Sequence, residues 1–189
     1  MQRFRKLVFV LSIAAICWLG MMAVHELGHI VGAVCTGGSV TRVVLHPLTI
    51  SRTDVSPNPH PGIVVWCGPI VGSLLPFALA WLVPRKQLTL RKLAGIFAGF
   101  CLIANGAYIS LGAFDQVGDC GEMLRTGTPV WVLIAFGLVT IPSGLALWHV
   151  QGSFSQFIGD ASVVTGRMAF ISCGTLAGIV ILEFSLSLL

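Results

Sequence analysis

LVFVLSIAAICWLGMMAVHELGHIVGA, residues 7–33, is the longest apolar stretch of the chain, and Glu26 is its only charged residue. The stretch exceeds the roughly 20 residues needed to cross the hydrocarbon layer of a bilayer. A basic start followed by an apolar run is also typical of signal peptides, but here a small-residue cleavage site is missing and the run continues into HELGH. The stretch therefore predicts an uncleaved membrane-spanning helix that carries two histidines and a glutamate.

The composition is not that of a soluble domain. Hydrophobic residues make up 56 % of the 189 residues, charged residues make up 10 %, and the mean hydropathy is +0.93. A soluble domain has roughly a quarter of its residues charged, so most of this surface must face lipid. Five stretches are long and apolar enough to span a membrane: 7–33, 63–84, 93–114, 129–150 and 168–189. We therefore predict an all-α, multi-pass integral membrane protein, with residues 1–189 forming a single membrane domain.

The segment between the first two spans, residues 35–62, has a different character. Val40–Ile50 is rich in β-branched residues, and the prolines at positions 47, 57, 59 and 61 break any continuous helix. Such a backbone cannot lie exposed in lipid, because its polar groups would be unsatisfied there. We expect a short extended or β segment, a strand or hairpin, that lies at the membrane interface or lines a cavity.

The basic residues flank the apolar spans and form no stripe, which disfavours a nucleic-acid partner. Eight of the 11 lie on the side of the N-terminus and three lie on the opposite side, a distribution that favours a cytoplasmic N-terminus. The six cysteines contain no CxxC pair and fall mostly inside spans. Neither a disulfide framework nor a cysteine zinc cluster is therefore expected.

The motif at the end of the first span has the spacing of a metal site. His25 and His29 are four residues apart, so on a helix they share one face, about 6 Å apart along the axis. Two imidazoles at this spacing bind one Zn²⁺, and the carboxylate of Glu26 beside them can act as a general base. Gly28 allows another backbone to approach closely. Because such residues are costly in lipid unless they face a cavity and have partners, the motif indicates a functional site.

A catalytic zinc also needs a third protein ligand. The first and third spans run in the same direction, so Asp115 and Asp119, at the end of the third span, are expected at the depth of the two histidines. Asp160 falls on the opposite membrane face. Glu122 belongs to the same cluster as Asp115 and Asp119. The other candidates lie in the loop after the first span or near the later spans: His46, Asp54, His60, His149 and Glu183. A site whose third ligand is a glutamate could use only Glu122 or Glu183, and Glu122 keeps that option open.

Three motifs follow one another along the chain: HELGH at 25–29, GPIVG at 68–72 and Asp-Cys-Gly at 119–121. In this order they resemble the site-2 protease class of intramembrane zinc metallopeptidases, the M50 peptidase family, over about residues 7–125. The resemblance implies a three-helix metalloprotease core in that range, with residues 129–189 adding two transmembrane helices.

The resemblance also implies roles for individual residues. Zn²⁺ would be bound by His25, His29 and Asp119, and Glu26 would be the general base. Asn105 matches an asparagine of the family's third helix. It would either stabilise the oxyanion of the tetrahedral intermediate or hydrogen-bond to a neighbouring helix.

The chain departs from the family pattern at several positions. Gly72 stands where the family often has asparagine, and Cys120 replaces the first glycine of the usual Asp-Gly-Gly. The gap from Asn105 to Asp119 is also longer than is usual, and Asp115 would fit it better. We favour Asp119 as the third ligand because a glycine precedes it and Cys-Gly follows it, with Asp115 as its rival.

These observations predict a zinc-dependent endopeptidase that hydrolyses peptide bonds in or beside the membrane. Its partners would be a membrane protein or peptide substrate and the lipid bilayer, and the compactness of the chain favours a prokaryotic plasma membrane. The alternative is a catalytically inactive M50-like scaffold or zinc-binding regulator, which has no need of Glu26. An ion or metal transporter would carry more polar residues along its later spans.

Overall fold

The structure, a computed structural model, describes residues 2–150 and 164–187, so Asp160 lies outside the described residues. Six helices and two strands follow one another in this part of the chain: α1 Gln2–Cys35, β1 Val40–Val44, β2 Arg52–Val55, α2 Pro61–Leu82, α3 Leu88–Asp115, α4 Gly118–Arg125, α5 Val130–Val150 and α6 Gly166–Ser187. Every one of these helices except α4 is long and apolar enough to cross a membrane. The predicted helical membrane fold with five spans is confirmed.

The start of α2 and the end of α3 are each marked by one residue. Pro61 opens α2, where the missing N–H of proline leaves no hydrogen bond unmade. α3 ends because Gln116 adopts the left-handed conformation, with φ 55° and ψ 33°, and donates its N–H to the Gly112 carbonyl. The chain restarts at Gly118 as α4. The aspartates that the sequence placed together at the end of the third span are therefore divided between two helices.

Three of the long helices run in the same direction. Near the start of each, Phe9 of α1 packs in one cluster with Leu93 of α3 and Ala169 of α6. Further along, Met22 of α1 packs in another cluster with Val180 of α6. The C-terminal ends of these helices consequently lie at one end of the bundle, as was expected for the first and third spans.

The remaining two spans run antiparallel to this set. α2 packs between α1 and α3, and α5 packs along α3. A side-chain carbon at Gly144 of α5 would come within 2.6 Å of the Gly99 carbonyl oxygen, so the backbones of α3 and α5 are in close contact. Such small-residue packing is common between membrane helices, where backbones approach closely. The division into a core of residues 7–125 and two added spans stays a prediction.

Between α1 and α2 the chain forms a β-hairpin. β1 and β2 pair antiparallel, with Val43 opposite Thr53 and Val44 opposite Arg52, and the pairing is irregular between Val40 and Arg42. This confirms the short β segment predicted between the first two spans. The hairpin lies at the end of the bundle where α1, α3 and α6 end, because Thr53 contacts Glu26 of α1 and the loop residue His46 packs on Phe184 of α6.

Candidate active site

His25 and His29 face the interior of the bundle from α1. Both are buried, and their Nε2 atoms lie 3.1 Å apart with the rings nearly perpendicular at 74°. One helical turn separates the two residues, so the close approach follows from the sequence spacing alone. The Nε2 atoms point to one common position between α1, α2 and α4.

Asp119 contributes a carboxylate to the same position. Its Oδ2 atom lies 2.7 Å from Nε2 of His25 and 3.3 Å from Nε2 of His29. Asp119 stands in the first turn of α4, and its backbone N–H donates to the hydroxyl of Tyr108 on α3 at 3.2 Å. Burial alone would raise the pKa of Asp119, but its contacts with the imidazoles of His25 and His29 outweigh burial and hold the pKa well below its usual range.

The outer ring nitrogens of both histidines have partners. Nδ1–H of His25 donates to Oδ1 of Asn105 at 2.7 Å, and the Asn105 amide donates in turn to the Cys101 carbonyl at 2.9 Å. Nδ1–H of His29 donates to the Val64 carbonyl at 2.9 Å. Bonds of this kind fix the tautomer and the ring orientation, and they leave each Nε2 lone pair directed at the central position. In this arrangement Asn105 orients His25.

Two glycines allow this approach of α1 and α2. A side-chain carbon at Gly28 would collide with the Cys67 carbonyl oxygen of α2. One at Gly68 would collide with the imidazole of His29 and would come within 2.9 Å of Nε2 of His25. Gly28 of the HELGH motif and Gly68 of the Gly-Pro motif therefore face each other for a steric reason, because only hydrogen fits between the two helices here.

The departures from the family pattern have local explanations. A side-chain carbon at Gly72 would lie 3.0 Å from the Asn105 amide, so Gly72 leaves room for the asparagine that bonds His25. Cys120 is fully buried and packs its thiol at Gly112 of α3, with Sγ 3.5 Å from the Ile109 carbonyl. The cysteine thereby anchors α4 on α3 beside Asp119.

The residues present fit a zinc ion. Two imidazole nitrogens and one carboxylate oxygen form the ligand set of many catalytic zinc sites. Ligand atoms around a tetrahedral Zn²⁺ lie about 3.3 Å apart, and the three separations here are 2.7, 3.1 and 3.3 Å. Three lone-pair atoms converging so closely need positive charge between them, from protons or from a metal ion. Among the described residues, His25, His29 and Asp119 are the group arranged to hold one.

Glu26 lies next to this cluster and is almost fully buried, with 3 % of its surface exposed. Its Oε2 atom accepts a hydrogen bond from the hydroxyl of Thr53 on β2 at 2.7 Å. The predicted general base of α1 is therefore held against the hairpin.

The rival third ligands lie elsewhere. Asp115 is exposed at the end of α3, and Glu122 pairs with Arg125 at 2.7 Å. Asp54 pairs with Arg52 on the outer side of the hairpin. Two of the remaining candidates lie in loops: His46 packs against Phe184, and His60 is exposed before α2. The other two lie on later helices, His149 at the end of α5 and Glu183 in α6. The structure brings Asp119 to the histidines; its role as a ligand stays a prediction.

Two residues of the site were missed by the sequence analysis. Tyr108 packs its ring edge-on against His25, with centroids 5.8 Å apart, and holds α4 through its hydroxyl. It lies one turn after Asn105 on α3, a signal that could have identified it. Thr53 had no such signal, because its contact with Glu26 depends on how the hairpin folds back onto α1.

The comparison with protein families agrees with this geometry. The sequence model of the family described as Peptidase M50B-like matches residues 7–110, more than half of the chain. The match includes HELGH, the Gly68-Pro69 segment and Asn105, and it ends before Asp119. No curated protein and no solved structure matches the chain. Five apolar spans and this match together indicate a multi-pass membrane protein. The chain belongs to the M50B-like peptidase family.

Proposed function

We propose that the protein is a zinc-dependent endopeptidase that hydrolyses peptide bonds in or beside the membrane. The observation that carries the proposal is the buried Glu26 next to the converging His25, His29 and Asp119. A site that only bound a metal for stability would not need a fourth ionisable group beside it. Family membership supports the same activity.

In this proposal His25, His29 and Asp119 hold the zinc ion. Zn²⁺ bound there supplies Lewis-acid chemistry, since it polarises a scissile carbonyl and makes water more acidic. The chain's contribution is to orient the ligands. Asn105 and the Val64 carbonyl fix the two imidazoles, and Tyr108 fixes the start of α4.

Glu26 supplies proton transfer. Because Oε2 accepts the Thr53 hydroxyl, Oε1 is left to accept a proton from the attacking water. The carbonyl carbon gains the hydroxyl group of water, the C–N bond breaks, and Glu26 returns the proton to the nitrogen of the leaving amine. The products are a carboxylic acid and an amine, and Glu26 ends in its starting state.

The position of the site suits a substrate that lies in the membrane. His25 and Glu26 belong to a lipid-spanning helix, whereas Asp119 reaches them from α4, which is too short to span. The site therefore lies toward one membrane surface, covered by the hairpin. A prokaryotic plasma membrane and a membrane protein or peptide as substrate stay predictions.

The test compares the wild type with Glu26→Gln in liposomes loaded with a library of single-span peptides. Loss of a general base lowers the cleavage rate by about 10²–10⁴-fold, while the zinc content of the variant should equal that of the wild type. Glu183→Gln is the matched control, because it neutralises the similarly buried glutamate of α6, a different helix. Cleavage retained by Glu26→Gln would contradict the proposal. A wild type that binds zinc but cleaves no peptide would instead support the inactive scaffold.

A further inference from the structure

The hairpin makes a direct contact with the proposed general base. Thr53 Oγ1 lies 2.7 Å from Oε2 of Glu26 and 3.5 Å from the Glu26 backbone carbonyl oxygen. A hydroxyl that donates to a carboxylate forms a charge-assisted hydrogen bond, which is stronger than a bond between neutral groups. The hairpin is thus attached to the one residue of α1 that is proposed to move protons.

The pleat of β2 explains why Thr53 makes this contact. Successive side chains of a strand point to opposite faces. The side chains of Arg52 and Asp54 are 59 % and 45 % exposed and pair with each other at 3.4 Å on the outer face. Thr53, between them, is directed to the inner face and reaches α1. A shift of the strand by one residue would place a charged side chain against Glu26 instead.

We propose that Thr53 is a positioning residue for catalysis, which orients the Glu26 carboxylate from the hairpin. This inference rests on the proposed peptidase function. A glutamate side chain has three rotatable bonds, and an acceptor bond to Oε2 removes most of that freedom. With Oε2 occupied, Oε1 is presented for proton transfer in one orientation.

Valine at position 53 tests this directly, because it keeps the β-branched shape of threonine and lacks the donor. We expect Thr53→Val to lower kcat by about 10- to 100-fold, with KM and zinc content unchanged. Thr53→Ser restores the hydroxyl and should recover most of kcat. Thr41→Val is the matched control, since Thr41 lies in the same hairpin and its hydroxyl donates to the Asp54 carbonyl. It should leave kcat at the wild-type value.

Hydrogen exchange of the backbone amides at 40–55 gives a readout that does not depend on activity. Thr53→Val and Glu26→Ala should each accelerate exchange in the hairpin, and the double variant should exchange no faster than either. Glu26→Gln should leave exchange unchanged, because the amide oxygen of glutamine still accepts the hydroxyl. This pattern would show that the contact holds the hairpin on α1.

The outcomes separate the two proposals. Wild-type kcat in Thr53→Val, together with inactivity of Glu26→Gln, overturns the role of Thr53 and leaves the peptidase function intact. Loss of zinc in Thr53→Val, or failure of serine to restore kcat, also overturns it, because the residue would then be structural. If the exchange pattern holds but the wild type cleaves no peptide, the function fails and Thr53 is only a tether.

Discussion

α1 and α6 lie side by side, run in the same direction, and each bury one glutamate. Met22 packs with Val180, so Glu183 of α6 lies at about the depth of Glu26. Glu183 is 4 % exposed and Glu26 is 3 % exposed. Both helices are long and apolar enough to cross a membrane, and this property alone does not distinguish them.

The surroundings of the two glutamates differ. Oε2 of Glu26 accepts a hydrogen bond from Thr53, whereas Oε2 of Glu183 is buried with no hydrogen-bond partner in residues 2–150 and 164–187. The glycines of the two helices differ in how much space surrounds them. Gly28 of α1 has no room for a side-chain carbon, while around Gly178 of α6 nothing described lies within 4 Å. The comparison teaches that a functional helix is recognised by what its polar and small residues contact on other helices.

The largest effect is expected at Asp119 of α4, which lies in one cluster with His25 and His29 of α1. Asp119→Ala should lower zinc affinity by more than about 100-fold, because it removes one of the three converging atoms that are proposed to bind the ion. Chelator competition in detergent measures this, with Asp115→Ala as control, since Asp115 is exposed and should bind zinc like the wild type. The reverse result would assign the third ligand to Asp115.

The second largest effect is expected at Asn105, whose side-chain oxygen accepts the hydrogen bond from His25. Asn105→Ala removes the acceptor of the Nδ1–H bond, and we expect zinc affinity to fall about 10- to 100-fold. Thr140→Val serves as the control, because the Thr140 hydroxyl bonds to the Phe136 carbonyl of its own helix. Equal affinities of Asn105→Ala and the wild type would show that Asn105 does not orient the ligand.

Replacing one glycine beside the site and one in α6 by alanine compares the packing of the two regions directly. Gly68→Ala should destabilise the protein by about 1–3 kcal/mol, because the added methyl group collides with the His29 ring. Gly178→Ala in α6 meets open space and should leave stability unchanged or slightly higher. Thermal unfolding of both variants in the same detergent measures the difference, and similar losses in the two would contradict the steric account.

The smallest effect is expected at Glu183, whose Oε2 atom has no hydrogen-bond partner in the part of the chain that the structure describes. Glu183→Leu replaces a carboxylate that has an unsatisfied oxygen with an apolar side chain of similar size. It should raise the free energy of unfolding by about 1 kcal/mol and leave zinc affinity unchanged. A clear loss of stability or of zinc in this variant would show that α6 takes part in the site.

Much of the site was predictable because it depends on local spacing and on helix direction. The i, i+4 spacing of His25 and His29 fixes their approach, and the direction of parallel spans fixes the depth of Asp119. The boundaries of the five spans followed from apolar length, and the proline-rich loop was recognised as a β segment. These features depend on one element, or on the order of elements in a bilayer.

The remainder depends on contacts between elements. The break at Gln116, which separates Asp115 from α4, is produced by one left-handed residue that carries no strong sequence signal. Thr53 reaches Glu26 only because β2 folds back onto α1 with one register. Such contacts require the packed structure, and a reading of periodicity and motifs does not contain them.

The short helix α4 bears on how the protein is made. Ninety-four positions separate His25 from Asp119, and the ribosome completes α1, α2 and α3 before α4 emerges. Until then His25, His29 and Glu26 lie in the membrane without Asp119. Unpartnered polar groups are costly in lipid. If His25, His29 and Asp119 bind a metal ion as proposed, that ion can be bound by all three side chains only after the third span has inserted. A nascent chain that stops before residue 119 carries the HELGH helix without a complete site.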